Sequence, residues 1–233
     1  KHGARVRFHF GTSELLGRVA LSGLTRGSAV ADPVAGAPAV EIPPGGAAHV
    51  RVRLEAPAVV TRGDRFILRA YSPPVTIAGG TVLDPHPPRG AIRTAAGRAR
   101  FAAIASSDLR VFLRQLLAER AGLGVPAQLL AHRAGLSHAD ATRALQEMAG
   151  SGEAVPVGGL LVARSVFDDL AGKLLAAVRA HHQQHPLSDG LPREEARSRV
   201  FARADVTVFD AVVERLAAEK RLAGRDRLAL PGV

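Results

Sequence analysis

Histidines four residues apart are the first groups in this sequence whose chemistry could include metal binding. His181 and His185 would share one face of a helix, a spacing that metal ligands use. No carboxylate accompanies them at a familiar ligand spacing, and Pro186 ends the helix there. The chain also contains no Cys, which excludes thiolate zinc sites and a Cys nucleophile. We therefore expect a polar helix end, favoured by the helix dipole, and no metal site.

Acidic pairs and serines also fit helix ends better than catalysis. Asp168-Asp169 and Glu194-Glu195 are adjacent residues, which point to different sides of a helix. They fall in or near first turns, where negative charge is stabilising, so we do not interpret them as acid–base pairs. Ser106-Ser107 and Ser137 fit helix caps and have no neighbouring base. We expect no catalytic residue in this chain.

Nucleotide-binding motifs are absent from the sequence. A phosphate-binding loop needs G-x-x-x-x-G-K-[ST], and Gly172-Lys173 lacks both the first Gly and the following Ser or Thr. The chain contains no Asn, so a guanine-selecting Asn-Lys-x-Asp motif is impossible. We expect this chain neither to bind nor to hydrolyse GTP, and to carry no cofactor.

The charge balance favours a polyanionic partner. Formal net charge is +10, and residues 1–93 hold 12 Lys and Arg against 6 Asp and Glu, so the excess is denser there. An Arg-heavy composition that reflects genomic bias is the alternative explanation. Aromatic residues make up only 4% of the chain, so a nucleic-acid site cannot rest on an aromatic stacking platform.

Membrane and export signals are missing from the sequence. No uncharged apolar run approaches the roughly 18 residues that a membrane span needs, and no signal-peptide pattern opens the chain. The lack of Cys is compatible with a reducing cytoplasm. Because the chain does not begin with Met, we expect a fragment or a processed chain.

The first 93 residues read as an all-β domain. Arg5–Phe10 and His49–Leu54 alternate polar and apolar residues, which predicts strands with one buried face. Another strand is expected at Arg65–Arg69, followed by a turn at Pro73-Pro74 and a strand that opens at Thr76. The side chains expected to point inward are Val6, Phe8, Phe10, Val50, Val52 and Leu54.

Loops rich in Pro and Gly complete this domain. They separate the strands at 31–46, and short strands with such loops predict a small, closed, Greek-key-type barrel. The prolines in Asp84–Arg89 are expected to end the sheet and to make this exit segment rigid. We expect His86, within this exit, to pack at the joint and not to perform chemistry.

Helical periodicity replaces the β pattern after Arg93 and repeats. Helices are expected around Leu109–Leu117, at Pro126–Arg133 and after Ser137, followed by a hairpin across Gly158-Gly159. A second set has helices at Val166–His182 and Pro192–Val200, a helix that buries Phe209, Val212, Val213 and Leu216, and a hairpin at Leu222–Ala223 and Leu228–Leu230.

The two sets are related by a constant offset. Ala141, Ala144, Leu145 and Met148 match Phe209, Val212, Val213 and Leu216 at a distance of 68 residues. Three helices and a β-wing, twice over, predict two tandem, mainly helical α+β winged-helix domains. The predicted domains are therefore a barrel at 1–93 and winged helices at 94–164 and 165–233.

Four segments in order resemble the selenocysteine-specific elongation factor (SelB) family, specialised relatives of elongation factor Tu. His2–Thr12, Gly63–Arg69 and Asp84–Arg89 are similar to parts of its third, barrel domain, and Gly190–Arg197 is similar to its second winged helix. The resemblance covers essentially the whole chain. It implies a translation-factor domain III-like barrel followed by the first two winged helices of the family.

The resemblance implies binding of selenocysteinyl-tRNA by the barrel. The loop that matches Arg69–Thr76 faces RNA in the wider elongation-factor group, so the expected phosphate contacts are Arg69, Ser72, Thr76, Arg5, Arg7 and His9. The alternative explanation is that these polar residues are simply the solvent-exposed outer face of a sheet and bind no RNA. GTP and Mg²⁺ are expected only in an N-terminal domain of the parent factor, which would be a cytoplasmic, monomeric GTPase.

The winged helices are expected to act as an arm. In the family a further winged-helix pair reads the mRNA selenocysteine insertion hairpin, and this chain stops before it. Weaker candidates for contact with RNA or the ribosome are Arg143, Arg215, Lys220, Arg221, Arg225 and Arg227. The last four could instead form a charged hairpin edge. Two alternatives remain: winged helices that serve only as spacers, and a DNA-binding regulator with a β ligand domain.

Overall fold

The computed structural model describes residues 1–25 and 40–232, so most of the loop predicted at 31–46 lies outside the described residues. The described part of the chain divides into two compact units. The first comprises Lys1–Gln115 with His132–Leu136, and the second comprises Leu116–Ala131 with Ser137–Val233. The predicted domain boundaries remain predictions.

The first unit is built on a curled, five-stranded antiparallel sheet. Its strands are β1 (Arg5–Phe10), β2 (Ser13–Leu24), β3 (Ala48–Leu54), β4 (Arg65–Ala70) and β5 (Thr76–Thr81). They lie in the order β3-β2-β1-β4-β5. This barrel-like sheet confirms the predicted all-β class. Strand β2 was missing from the sequence prediction.

Alternation along the strands produces one apolar face. Val6 and Phe8 of β1 are buried, with Val19 and Leu21 of β2 and Leu68 of β4. The other side chains that were predicted to point inward pack against this cluster: Phe10, Val50, Val52 and Leu54. Gly17 lies where β2 approaches β3, and a Cβ there would be 2.9 Å from the Arg53 carbonyl oxygen. A larger residue would force these strands apart.

Two helices follow the exit from the sheet. Helix α1 (Ala95–Ala105) begins after Thr94, whose side chain accepts a hydrogen bond from the Gly97 N–H. Its Phe101 is buried, and the ring stacks on His49 of β3 at 5.1 Å between centroids. Helix α2 (Leu109–Arg120) buries the apolar residues that predicted it, namely Phe112, Leu113, Leu116 and Leu117.

Asp84 lies at the centre of a buried ionic cluster in the first unit. Its side chain is 3% exposed, and its carboxylate accepts hydrogen bonds from Arg100 at 2.5 Å and from Arg133 at 2.5 and 3.2 Å. The His86 N–H donates to the same carboxylate at 3.0 Å, and the His86 ring stacks on His132 at 4.7 Å. The exit segment is thus held by α1 and by residues near 133.

Burial and ion pairing act against each other at Asp84. Burial by itself would raise the pKa of the carboxyl group. The hydrogen bond and charge of Arg133, joined by hydrogen bonds from Arg100 and the His86 N–H, outweigh burial and hold the pKa of Asp84 below its ordinary value. The carboxylate is therefore ionised at neutral pH, and its charge is compensated inside the cluster.

The predicted helix–strand order occurs twice along the chain. After α2 come a 3₁₀ turn (Ala121–Leu123), β6 (Val125–Pro126), α3 (Ala127–Ala134), α4 (His138–Gly150), β7 (Ala154–Val157) and β8 (Leu160–Ala163). The three strands form a sheet in the order β6-β8-β7. The second set is α5 (Arg164–Gln184), β9 (Leu191–Pro192), α6 (Arg193–Val200), α7 (Val206–Ala218) and β10 (Arg227–Leu228).

The repeat extends to the ends of the third helices. Helix α7 has the bounds of α4 shifted by 68 residues, as the apolar pattern predicted. Helix α4 begins at the predicted cap, where the Ser137 side chain accepts a hydrogen bond from the Asp140 N–H. In the second set the wing is short: β10 pairs with β9, and Ala223 forms a bridge to Ala229. Winged-helix architecture is thus confirmed.

The second set supplies most of an apolar core that also includes Val157 and Val162 of the first set. Phe209, Val212, Val213 and Leu216 of α7 are buried against α5, as the sequence predicted. Leu174 and Val178 of α5 are fully enclosed in the same cluster. None of the helices in the described residues is long and apolar enough to cross a membrane.

Candidate nucleic-acid interface

The outer face of the sheet brings together most of the residues predicted to bind tRNA. Arg5, Arg7 and His9 alternate with the buried residues of β1 and therefore share the opposite face. Arg7 lies directly across from Arg69 of β4, and Arg69 lies across from Thr76 of β5. Antiparallel register, which joins residues far apart in the sequence, thus builds one basic surface.

Ser72 lies in the loop between β4 and β5. It is exposed and is joined to Pro73 by a cis peptide bond, within the double-proline turn that the sequence predicted. Thr76, the first residue of β5, is also exposed. The hairpin end therefore presents backbone and hydroxyl groups beside the basic strands.

Two glutamates partly neutralise this face. Arg5 donates to both carboxylate oxygens of Glu55, at 2.9 and 2.8 Å. Arg7 donates to Glu14 at 2.5 Å, and the same carboxylate lies 3.2 Å from His9 Nε2. The Arg5 hydrogen bond holds the pKa of Glu55 below its ordinary value. These exposed pairs orient the guanidinium groups and contribute little to stability.

Tyr71 is a component of the face that the sequence analysis missed. Its ring lies 4.5 Å from the guanidinium carbon of Arg5 and 5.7 Å from that of Arg7, and its carbonyl accepts a hydrogen bond from Arg7. The side chain is 43% exposed. Tyr71 directly follows β4, but no periodic pattern in the sequence distinguishes it.

Arg69 is held more deeply than its neighbours. The residue is half-buried, and its Nε atom is enclosed without a hydrogen-bond partner among residues 1–25 and 40–232. A buried donor without a partner is costly, because it has lost water and gained nothing in return.

Arg18 and Arg53 extend the basic face beyond the predicted residues. Arg18 of β2 lies across from Arg5, and Arg53 of β3 lies across from Arg18. Both are exposed. The alternation of Arg51 and Arg53 with Val50, Val52 and Leu54 was visible in the sequence, but the register that aligns Arg53 with Arg18 was not.

The weaker candidates in the winged helices are mostly paired with acidic neighbours. Arg143 contacts Asp140, and Arg215 donates to Asp168 at 2.6 Å and to Glu219 at 2.8 Å. In the second wing Arg221 donates to Glu219 at 2.9 Å, and Arg227 donates to the Gly190 carbonyl at 3.2 Å. Lys220 and Arg225 are exposed. The third helices therefore offer little free positive charge for reading a nucleic-acid groove.

The histidines considered for metal binding have structural contacts. His181 Nε2 lies 2.9 Å from Ser188 Oγ, and the His181 ring lies 4.9 Å from the ring of His185. The acidic pairs are likewise engaged: Asp169 with Lys173, and Glu194 with Arg197. These ion pairs lie within α5 and α6.

The fold and the basic face together define a class of protein: a barrel-like β domain with an arginine-rich outer surface, followed by winged-helix units. Comparison with known proteins makes the class specific. Residues 1–89 match the family model of the selenocysteine-specific elongation factor β-barrel domain. Residues 175–228 match the model described as elongation factor SelB, winged helix.

Individual proteins agree with these domain matches. The chain is 29% identical over 238 residues to the selenocysteine-specific elongation factor of Desulfomicrobium baculatum, a match that covers 100% of this chain and 35% of that protein. The crystal structure of bacterial selenocysteine-specific elongation factor EF-Sec superposes with a TM-score of 0.65 at 16% identity, over 99% of this chain and 32% of that one. The latter likeness concerns the fold alone.

Along its whole length the chain is thus similar to selenocysteine-specific elongation factors (SelB), with two of their domain models matched at 1–89 and 175–228. It spans about a third of the length of the two relatives it matches.

Proposed function

We propose that this chain binds selenocysteinyl-tRNA through the outer face of its sheet, as part of a translation elongation factor. The winged-helix units would form an arm toward the ribosome and toward modules that read the mRNA hairpin. GTP and Mg²⁺ would be bound elsewhere in the intact factor, which would act in the cytoplasm as a monomer. These roles are inferred from the family and supported by the surface described above.

The observation that carries this proposal is the alignment of Arg7 with Arg69 beside the exposed Tyr71. Two arginines directly opposite each other repel, and among the described residues only Arg7 of this pair has a carboxylate partner, Glu14. A phosphate between them would relieve the repulsion. Such contacts position an RNA and do not read its sequence.

Binding of the full chain to four ligands across a salt series tests the proposal. The ligands are selenocysteinyl-tRNA, an ordinary elongator tRNA, the mRNA hairpin and duplex DNA. We expect tightest binding to selenocysteinyl-tRNA. Equal and steeply salt-dependent binding to all four would mean that the +10 charge alone is acting, and would contradict the proposal.

Arg69→Ala tests the surface itself. Loss of one phosphate contact should weaken tRNA binding about tenfold and reduce the salt slope by about one. Arg89→Ala is the matched control, because Arg89 is exposed in the same unit and lies outside the sheet. Unchanged affinity in Arg69→Ala would remove the tRNA assignment from this face.

The role of the second wing is tested by charge reversal. Lys220→Glu with Arg225→Glu changes two exposed residues of the wing. Loss of ribosome or tRNA binding would favour an RNA-contacting wing, and retention would favour the spacer alternative. Preferential binding to duplex DNA in the four-ligand experiment would instead favour a DNA-binding regulator.

A further inference from the structure

Three arginines form a row across neighbouring strands of the sheet. Arg5, Arg18 and Arg53 occupy paired positions on β1, β2 and β3, on the face opposite the apolar core. Adjacent strands lie about 4.8 Å apart, so the three side chains start within roughly 10 Å of one another. Like charges that lie directly opposite each other are destabilising. The row therefore needs an anion that the surrounding protein only partly supplies.

Glu55 is the carboxylate nearest to this row. Both of its oxygens are engaged by Arg5, while the charge of Arg18 only helps to lower the pKa of the Glu55 carboxyl group. In the described residues, neither Arg18 nor Arg53 has a carboxylate within salt-bridge distance. Two exposed guanidinium groups, each able to form a bidentate pair, are thus left facing solvent.

We propose that Arg5, Arg18 and Arg53 form a second phosphate-binding row, parallel to the Arg7–Arg69 pair, so that the RNA lies across β1–β3 and not only along the β4–β5 hairpin. This inference rests on the proposed function and extends its site to Arg18 and Arg53. The two rows are two residues apart along β1, or about 7 Å. The five arginines lie on four adjacent strands and, with two glutamates, therefore cover a patch of about 14 by 7 Å.

The shape of the patch favours a sugar–phosphate backbone over other anions. Its residues alternate outward from an open sheet face and line no enclosed pocket among the described residues, so they suit an extended ligand with repeated charges. Arginine forks pair well with phosphate oxygens. An acidic peptide would supply carboxylates at irregular spacing and is distinguished below.

Single and double substitutions in the full chain test the row. Arg18→Ala and Arg53→Ala should each weaken binding to selenocysteine tRNA about three- to tenfold and lower the salt slope by about one, with the double variant lowering it by about two. Glu55→Gln should tighten binding two- to threefold, because it removes a competing anion. Arg89→Ala should match the wild type. Circular dichroism and thermal melting would show that each variant is folded.

The outcomes separate this inference from the proposed function. If Arg69→Ala weakens binding while the Arg18/Arg53 double variant stays within twofold of wild type with an unchanged salt slope, the second row is wrong and the proposed function stands. If the wild type shows no preference for selenocysteinyl-tRNA while Arg18→Ala and Arg53→Ala still lower the salt slope, the row stands and the proposed function fails. Equal competition by a poly-glutamate peptide of matched charge would overturn the row as a phosphate site.

Discussion

Replacing Asp84 by Asn tests the buried ionic cluster of the first unit. Asp84, Arg133 and Arg100 have side chains that are 3%, 7% and 12% exposed, so none of the three charges is compensated by bulk water. Asp84→Asn keeps the shape of the side chain but removes its charge and replaces one acceptor oxygen with an NH2 donor. Arg133 and Arg100 would then lie close together without the carboxylate that they share.

The expected cost follows from leaving a buried charge uncompensated. Removing one partner of a buried ion pair costs about 3 kcal/mol or more, whereas an exposed pair contributes less than about 1 kcal/mol. At about 3 °C for each kcal/mol, the melting temperature of the first unit should fall by about 10 °C. Glu41→Gln is the matched control, since Glu41 of the same unit pairs with Lys1 at 3.8 Å with both side chains more than half exposed. It should lower the melting temperature by no more than about 3 °C.

The difference in stability between the wild type and Asp84→Asn should decrease at low pH. The pKa of Asp84 is lower in the folded state than its ordinary value of 3.8, so the carboxylate contributes stability that is fully present above that value. The contribution is lost as the pH falls from 3.8 through the folded pKa, where Asp84 takes up a proton. The gap in stability between the wild type and Asp84→Asn should therefore be constant above about pH 5 and should narrow below pH 4.

Thermal and urea unfolding from pH 3 to 7, followed by circular dichroism, provide the measurement. Because the chain contains two compact units, the transition of the first unit must be resolved from that of the second before a free energy is assigned. A melting temperature for Asp84→Asn within 2 °C of wild type at pH 7 would refute the reasoning. A gap that widens as the pH falls would also refute it.

Two further pairs of substitutions test local features of the second winged helix. Asp205→Ala should lower the free energy of unfolding by about 1 kcal/mol, because Asp205 caps α7 by accepting a hydrogen bond from the Thr207 N–H at 2.9 Å. Asp205→Asn should retain most of this stabilisation, as measured by urea unfolding. Gly190→Ala should destabilise by more than about 1 kcal/mol, because Gly190 has a φ of +139° and an added Cβ would lie 2.6 Å from the Leu228 carbonyl oxygen. Gly172→Ala, in open space on α5, should instead stabilise by about 0.5–1 kcal/mol in the same assay, and the opposite order would contradict both assignments.

The helices could be predicted well because their apolar residues recur with a clear period. The α4 and α7 pattern gave both helices and their offset, since one buried stripe on each determines which residues match. Helix α1 was not separated from its surroundings, because its Ala-rich sequence has hardly any amphipathic character. Strand β2 was missed for a related reason: its two glycines and the bulge between Leu21 and Gly23 interrupt alternation.

The candidate site was only partly predictable, because its residues come together through strand register. The resemblance to the family pointed to Arg69, Ser72 and Thr76, and the alternation of β1 pointed to Arg5, Arg7 and His9. Nothing in the sequence alone indicates that Tyr71 lies beside Arg5 and Arg7. The Asp84 cluster was equally hidden, since it joins a loop residue to arginines on two separate helices.

For Arg18 and Arg53, a binding role and a structural role predict opposite changes in melting temperature when either arginine is replaced. Like charges aligned across strands destabilise the sheet, so Arg18→Ala or Arg53→Ala should leave the melting temperature unchanged or raise it slightly. A residue needed for folding would instead lower the melting temperature when it is removed. Weaker RNA binding by a protein that is at least as stable would therefore show that the arginines are present for the ligand. Weaker binding together with lower stability would assign them to the sheet.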